Sequence, residues 1–151
     1  MSEQATVYIP PDPRRRPGAF IPPLLVLPFL VYNIVVFAFM AGNPAEWAGQ
    51  ALSITMVSGQ PWVLTWGDLM LVLGLVCLFV EVLKSTQTGR NSVIEHMLST
   101  LLLVVFLIEF ILVGAAASSV FFLLMIMSVV DVVAGFTISI TGAGRDVTMA
   151  Q

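Results

Sequence analysis

The chain has 151 residues, 58% of them hydrophobic and 10% charged, with a formal net charge of −3 and a mean hydropathy of +1.00. A soluble domain carries about 25% charged residues, so this composition excludes an ordinary soluble fold and points to a bilayer. Nucleic acid is excluded as a partner, because the six Lys and Arg residues are all accounted for by membrane topology. The lone cysteine, Cys77, rules out an intramolecular disulfide and dithiol redox chemistry. The lone histidine, His96, rules out a bis-histidine haem within one chain, and no metal or other cofactor is expected.

Residues 1–19 are polar and rich in proline (Pro10, Pro11, Pro13, Pro17), with Arg14, Arg15 and Arg16 in a row. Such a segment cannot build a core and reads as an extended tail. It sets orientation and touches anionic lipid, or it docks to a partner as a polyproline-like peptide.

Four long apolar segments follow, at 20–41, 63–84, 93–115 and 118–140. Each supplies the roughly 20 apolar residues that a bilayer core requires. The first is too long for the apolar region of a signal peptide, and Ala41-Gly42-Asn43-Pro44 reads as a turn, so it is expected to be retained as a span. Pro22, Pro23 and Pro28 should make its start irregular, tolerable in lipid only where neighbouring helices satisfy the freed backbone groups.

The outer loop, 42–62, admits two readings. Trp47, Ala48, Ala51, Leu52 and Met56 recur at helical spacing, as in an interfacial helix. Leu52 to Met56 also alternates strictly, and Ser58-Gly59-Gln60-Pro61 is a turn signal before a second short apolar run. A helical start over 44–51 followed by a turn or short strand pair is the favoured combination. Trp47, Trp62 and Trp66 all fall at this boundary, where indole prefers the headgroup region.

The second and third spans open with Thr65-Trp66-Gly67-Asp68 and Ser92-Val93-Ile94-Glu95, both capping patterns. Short connections at 85–92 and 114–118 make successive helices antiparallel neighbours. The fold class expected is therefore an all-α membrane protein with four transmembrane helices in an up-down-up-down bundle. Arg14 to Arg16, Lys84, Arg90 and Arg145 all lie on one side of it, and the outer loop and the 114–118 turn carry no Lys or Arg. That pattern puts both termini in the cytoplasm, with 142–151 as a second cytoplasmic tail.

Chemistry, if any, rests on five acids. At 1.5 Å per residue, Glu81 and Glu95 lie roughly 11–14 Å to the cytoplasmic side of the midplane, level with Lys84, Arg90 and His96. That group reads as an ion-pair and capping cluster at the cytoplasmic interface. Asp68, about 8 Å outside the midplane, reads as the helix cap of Thr65 at the outer interface. Glu109, about 8 Å outside the midplane, and Asp131, within about 4 Å of it, have no Lys or Arg at their depth. An acid at the centre of a span costs on the order of 2.5–3.5 kcal/mol. Both must therefore face protein or water.

Helical faces support this. Glu95, Ser99, Leu102, Phe106 and Glu109 make one stripe; Ser128, Asp131, Gly135 and Ser139 another; Gly67, Gly74, Cys77 and Glu81 a third. Asn33, near the midplane, is the expected partner of Asp131, giving a buried polar layer of Asn33, Asp131, Ser128 and Glu109.

Thr65-Trp66-Gly67-Asp68-Leu69, Glu81-Val82-Leu83-Lys84, His96-Met97-Leu98-Ser99 and Asp131-Val132-Val133-Ala134-Gly135-Phe136 together resemble a group of small, uncharacterised bacterial four-helix inner-membrane proteins. The resemblance covers spans two to four. It implies a multi-pass protein of the bacterial cytoplasmic (inner) membrane and carries no activity or cofactor with it.

Three functions compete. No nucleophile–base pair or metal-ligand spacing is visible, which argues against an enzyme and leaves no catalytic residue to name. An accessory or scaffold subunit, packing with itself as a homo-oligomer or with a larger membrane complex, fits the absence of any soluble domain. A small proton- or cation-coupled transporter or channel subunit would use Glu109 and Asp131, although no inverted repeat or broken helix supports it.

Overall fold

The computed structural model describes residues 22–86 and 92–149. The tail 1–19, Arg90 and the start of the first apolar segment lie outside them, as does the Ser92 side chain on which the expected cap depends. Four helices carry the fold: α1 (Val26–Ala38), α2 (Trp66–Ser85), α3 (Ser92–Leu112) and α4 (Ser119–Met149). A short 3-10 turn at Pro44–Ala48 and a hairpin of β1 (Gln50–Thr55) and β2 (Pro61–Thr65) connect α1 to α2. A second 3-10 turn, Gly114–Ala116, connects α3 to α4.

Three of the helices are long and apolar enough to cross a membrane: α2, α3 from Ile94, and α4 as far as Thr141. The first is shorter than its apolar segment. Its 13 residues give about 20 Å of helix, against a hydrocarbon core of about 30 Å. Prolines set one limit, because Pro22 and Pro23 lie outside the helix and the first turn begins only after them. At the other end Ala41 (φ 49°) and Gly42 (φ 75°) turn left-handed, and the Gly42 N–H donates to Val36 O at 2.8 Å. Helix α4 differs in the opposite sense, continuing to Met149 through residues read as a tail.

Helix α4 packs most extensively on α2 and α3, and α1 lies against α2 and α4. Two glycines bring α2 close to α4. A Cβ on Gly67 would stand 2.8 Å from Val120 Cγ2, and one on Gly74 2.6 Å from Leu124 Cδ2. Small residues that admit such an approach are how membrane helices gain van der Waals contact. Against α1 and α3 the spacer is aromatic: Phe121 of α4 is fully buried among Phe29 (6.3 Å), Tyr32 (4.8 Å), Phe106 (5.4 Å) and Phe110 (6.4 Å).

Outside this core the helices are lined by exposed Leu, Ile, Val and Phe, including Ile34, Phe37, Leu75, Phe79, Leu101, Ile108, Val133 and Ile140. Only 22–33% of each candidate span is buried within the chain. An apolar exterior of this extent is stable in hydrocarbon, not in water.

The outer segment resolves the two sequence readings. A 3-10 turn replaces the expected helix over 44–51, capped by the Asn43 side chain, which accepts from the Ala45 N–H at 3.1 Å. The strand pair follows it, antiparallel, with Leu52 opposite Leu64 and Ile54 opposite Trp62. Ser53 opposite Val63 and Thr55 opposite Pro61 make the other face. One strand face is thus apolar and the other mixed, because side chains alternate along a strand. Trp62 and Trp66 are exposed. Trp47 is not: the 3-10 turn folds it inward, 4% exposed, to stack on Tyr32 at 4.9 Å. It marks the roof of the core, not the water boundary.

Candidate functional site

The intramembrane polar residues do not form one layer. They form two clusters separated by the Phe29–Phe106–Phe121 wedge. Towards the hairpin end, Asn33 Nδ2 donates to Glu109 Oε2 at 3.2 Å and to its own helix at Phe29 O. Beside it, the Tyr32 hydroxyl donates to Ala115 O at 2.8 Å and lies 2.8 Å from Ser118 Oγ. Ser118 Oγ in turn accepts from the Phe121 N–H, capping α4. Tyr32 therefore ties α1 to the α3–α4 turn. Asn33 pairs with Glu109 and not with Asp131, which corrects the expected pairing. The reason is depth: Asn33 lies one turn beyond Phe29, which meets Phe106, and Glu109 lies one turn beyond Phe106.

The second cluster lies towards the other end. Glu81, 2% exposed, places Oε1 2.8 Å from Lys84 Nζ. Its Oε2 accepts from the Leu24 N–H at 2.9 Å. That N–H belongs to the turn just after Pro23 and has no partner within its own helix, so Glu81 serves α1 as a cap supplied from α2. Lys84 also reaches Glu95 Oε2 at 3.7 Å. The ammonium thus turns back along α2 into the bundle, in the direction that helical side chains favour, where it is 15% exposed.

Asp131 joins this cluster. It accepts a hydrogen bond from Ser99 and lies within electrostatic reach of Glu81, Lys84 and His96. The Lys84 ammonium is held by Glu81 and Glu95 and acts on Asp131 through space. His96 is buried against Gly135, where an added Cβ would stand 2.5 Å from its Nδ1, and its Nε2 lies 2.7 Å from Ser139 Oγ. Ser99 over Asp131 and His96 over Gly135 are successive rungs of one α3–α4 seam.

Three oxygens in these clusters have no hydrogen-bond partner: Glu109 Oε1, Ser128 Oγ and Asp131 Oδ2. Ser128 is fully buried and Asp131 is 3% exposed. Asp68 stays outside both clusters. It closes a capping box at the start of α2, its Oδ2 accepting from the Thr65 N–H at 2.8 Å and Thr65 Oγ1 accepting from the Asp68 N–H at 3.1 Å. Among the described residues, no group of three or more His, Cys, Asp or Glu is arranged to hold a metal ion.

Compared with known proteins, the chain matches no family model, no curated sequence and no solved structure. The site is therefore read from its own chemistry.

Proposed function

We propose that the chain is a multi-pass protein of the bacterial inner membrane that acts as an accessory or scaffold subunit, packing with itself or with a membrane partner. In this reading all four helices cross the bilayer in alternating directions, α1 using its short helix and the residues flanking it. The residue pairs support the alternation. Gly67 and Gly74 meet Val120 and Leu124 in ascending order, whereas Ser99 and His96 meet Asp131 and Gly135 in opposite order. The hairpin end faces outward and the Lys84 end faces the cytoplasm, as the basic residues require.

The outer hairpin carries the scaffold reading. Leu52, Ile54, Met56, Val57, Trp62 and Val63 are all exposed there, on a two-stranded sheet, a unit that is marginal when it stands alone in water. A surface of that kind is suited to being covered. Gentle detergent extraction followed by native mass spectrometry tests this reading. A stoichiometric partner or a defined homo-oligomer is expected, lost when Ile54 and Trp62 are replaced by Ser. A lone monomer in its own membrane lipids would refute it.

The unpartnered oxygens of Glu109 and Asp131 favour a second reading, a proton- or cation-coupled carrier. Reconstitution in liposomes tests it. Proton flux that is lost in Asp131→Asn and Glu109→Gln supports this reading, and flux that survives both removes its site.

A further inference from the structure

We propose that the cavity between the end of α1, the Pro44–Ala48 turn and the start of α2 binds the ammonium headgroup of a phospholipid, phosphatidylethanolamine. Glu46 is its counterion, and Phe39 and Trp66 are its aromatic walls. The inference goes beyond the scaffold and carrier readings and rests on neither. It needs only that the hairpin end of the bundle lies at a bilayer surface.

The cavity has a volume of about 440 Å³ and is lined by Val35, Phe39, Met40, Glu46, Gly49 and Trp66. Small-molecule sites occupy roughly 300–1,000 Å³, so a lipid headgroup fits. Backbone hydrogen bonds hold its walls in place. The Phe39 and Met40 N–H groups both donate to Val35 O, at 3.0 and 3.2 Å. The Gly49 N–H donates to Glu46 O at 2.9 Å, and the Trp66 N–H donates to Gly49 O at 3.1 Å, tying the turn to α2. A Cβ on Gly49 would stand 3.0 Å from Glu46 O and 3.5 Å from Trp66 Cδ1. The glycine thus lets the turn and the indole approach closely at the floor of the cavity.

Charge selects the occupant. Glu46 is the one charged residue in the lining. Asn43 Nδ2 donates to its Oε1 at 3.2 Å, and among the described residues nothing donates to its Oε2. The ion pairs found among the described residues lie at the other end of the bundle. Residues 42–62 and 114–118 hold no Lys or Arg, so a cation for Glu46 has to come from outside this end of the chain. The neighbouring acid, Asp68, is already engaged, its Oδ2 accepting from the Thr65 N–H at 2.8 Å and the Thr65 hydroxyl at 2.7 Å. An ammonium is attracted both by a carboxylate and by aromatic faces, and this cavity offers both. An anionic headgroup would meet like charge here. The lipid side supplies the ligand, because Phe39 is 79% and Trp66 51% exposed and indole prefers the headgroup region. Phe37 and Leu69, beside these two along α1 and α2, are also exposed. They continue the cavity into the apolar exterior, where acyl chains lie.

Carbodiimide coupling tests this, on the full chain in phosphatidylglycerol liposomes containing a minority of phosphatidylethanolamine. A water-soluble carbodiimide joins a carboxylate to an amine in contact with it as an amide. Peptide mass spectrometry after lipid cleavage then identifies the carboxyl that carries the headgroup. The adduct is expected on Glu46 and severalfold less on Asp68, which is exposed at the same end. Trp66→Leu changes an exposed side chain outside the Thr65–Asp68 cap and should lower the Glu46 adduct severalfold. In liposomes of phosphatidylglycerol alone, soluble ethanolamine should couple to the two acids without that preference. No headgroup on Glu46, or equal amounts on Glu46 and Asp68, overturns the proposal, and neither result needs a variant to fold. A Glu46 adduct unchanged in Trp66→Leu overturns the placement of the amine in this cavity. A preference for Glu46 just as large with soluble ethanolamine overturns lipid as the ligand.

Discussion

Replacing Gly135 by Ala tests the seam between α3 and α4 where it is tightest. The new methyl would stand 2.5 Å from His96 Nδ1 and 2.6 Å from Cε1. Ordinary contacts lie at about 3.5–4.0 Å, so the ring must retreat by about 1 Å. It has little freedom to do so, being 8% exposed and held by Ser139 at 2.7 Å. Overpacking of this kind costs about 1–3 kcal/mol, and an interhelical hydrogen bond in a membrane protein contributes on average about 0.6 kcal/mol. Alanine returns about 1 kcal/mol of helix propensity. The net expectation is a loss of about 1–2 kcal/mol, read by denaturant unfolding of the purified protein in mild detergent. Gly114→Ala is the control, because its Cβ would meet nothing within 4 Å. Gly135→Ala should also weaken the effect of Ser139→Ala, since the bond is already strained. A Gly135→Ala protein as stable as wild type, or more stable, would refute the packing described for His96.

Other outcomes follow from the same contacts. Asn33→Leu removes the donor to Glu109 and should cost about 0.6–1.7 kcal/mol, with a smaller loss in a Glu109→Leu background if the pair accounts for the effect. Thr65→Ala breaks the capping box and should cost about 0.5–2 kcal/mol, measured by the same unfolding. Glu81→Leu leaves the Leu24 N–H without its acceptor and takes away the nearer of the two carboxylates on Lys84. Protease sensitivity near residue 24 should rise, and an unchanged cleavage pattern would argue against a cap supplied from α2. In variants retaining one tryptophan, brominated lipids should quench Trp62 strongly and Trp47 weakly, since Trp62 is exposed and Trp47 is stacked on Tyr32.

Composition and period exposed the long helices, because burial in lipid demands long apolar runs and the chain has little else. The inward faces were equally legible: Gly67, Gly74, Cys77 and Glu81 are all buried, as are Ser99, Ser128 and Asp131. The Thr65–Asp68 cap was readable because both partners lie within one turn. Pairing across helices was not. Asn33 and Asp131 seemed matched by depth along straight, equal spans, but α1 is short and starts late, after its prolines, which places Asn33 beside Glu109. Lys84 carries its charge several ångströms from its backbone into the bundle, which counting residues along the helix does not show. The Tyr32 and Leu24–Glu81 bonds are not legible in the sequence, because their partners lie more than 50 residues away. The one local hint of Tyr32 was a hydroxyl in an otherwise apolar run, beside Asn33.

The central claim is that the chain crosses the membrane with its hairpin end and its Lys84 end on opposite sides. Single cysteines introduced by Ser58→Cys and Thr86→Cys, each in a Cys77→Ser background, test it with a membrane-impermeant thiol reagent on cells whose inner membrane is intact. The account predicts that the cysteine at position 58 is labelled at once and the one at position 86 only after the inner membrane is permeabilised. Labelling of both from the same side, or the reverse order, would contradict it.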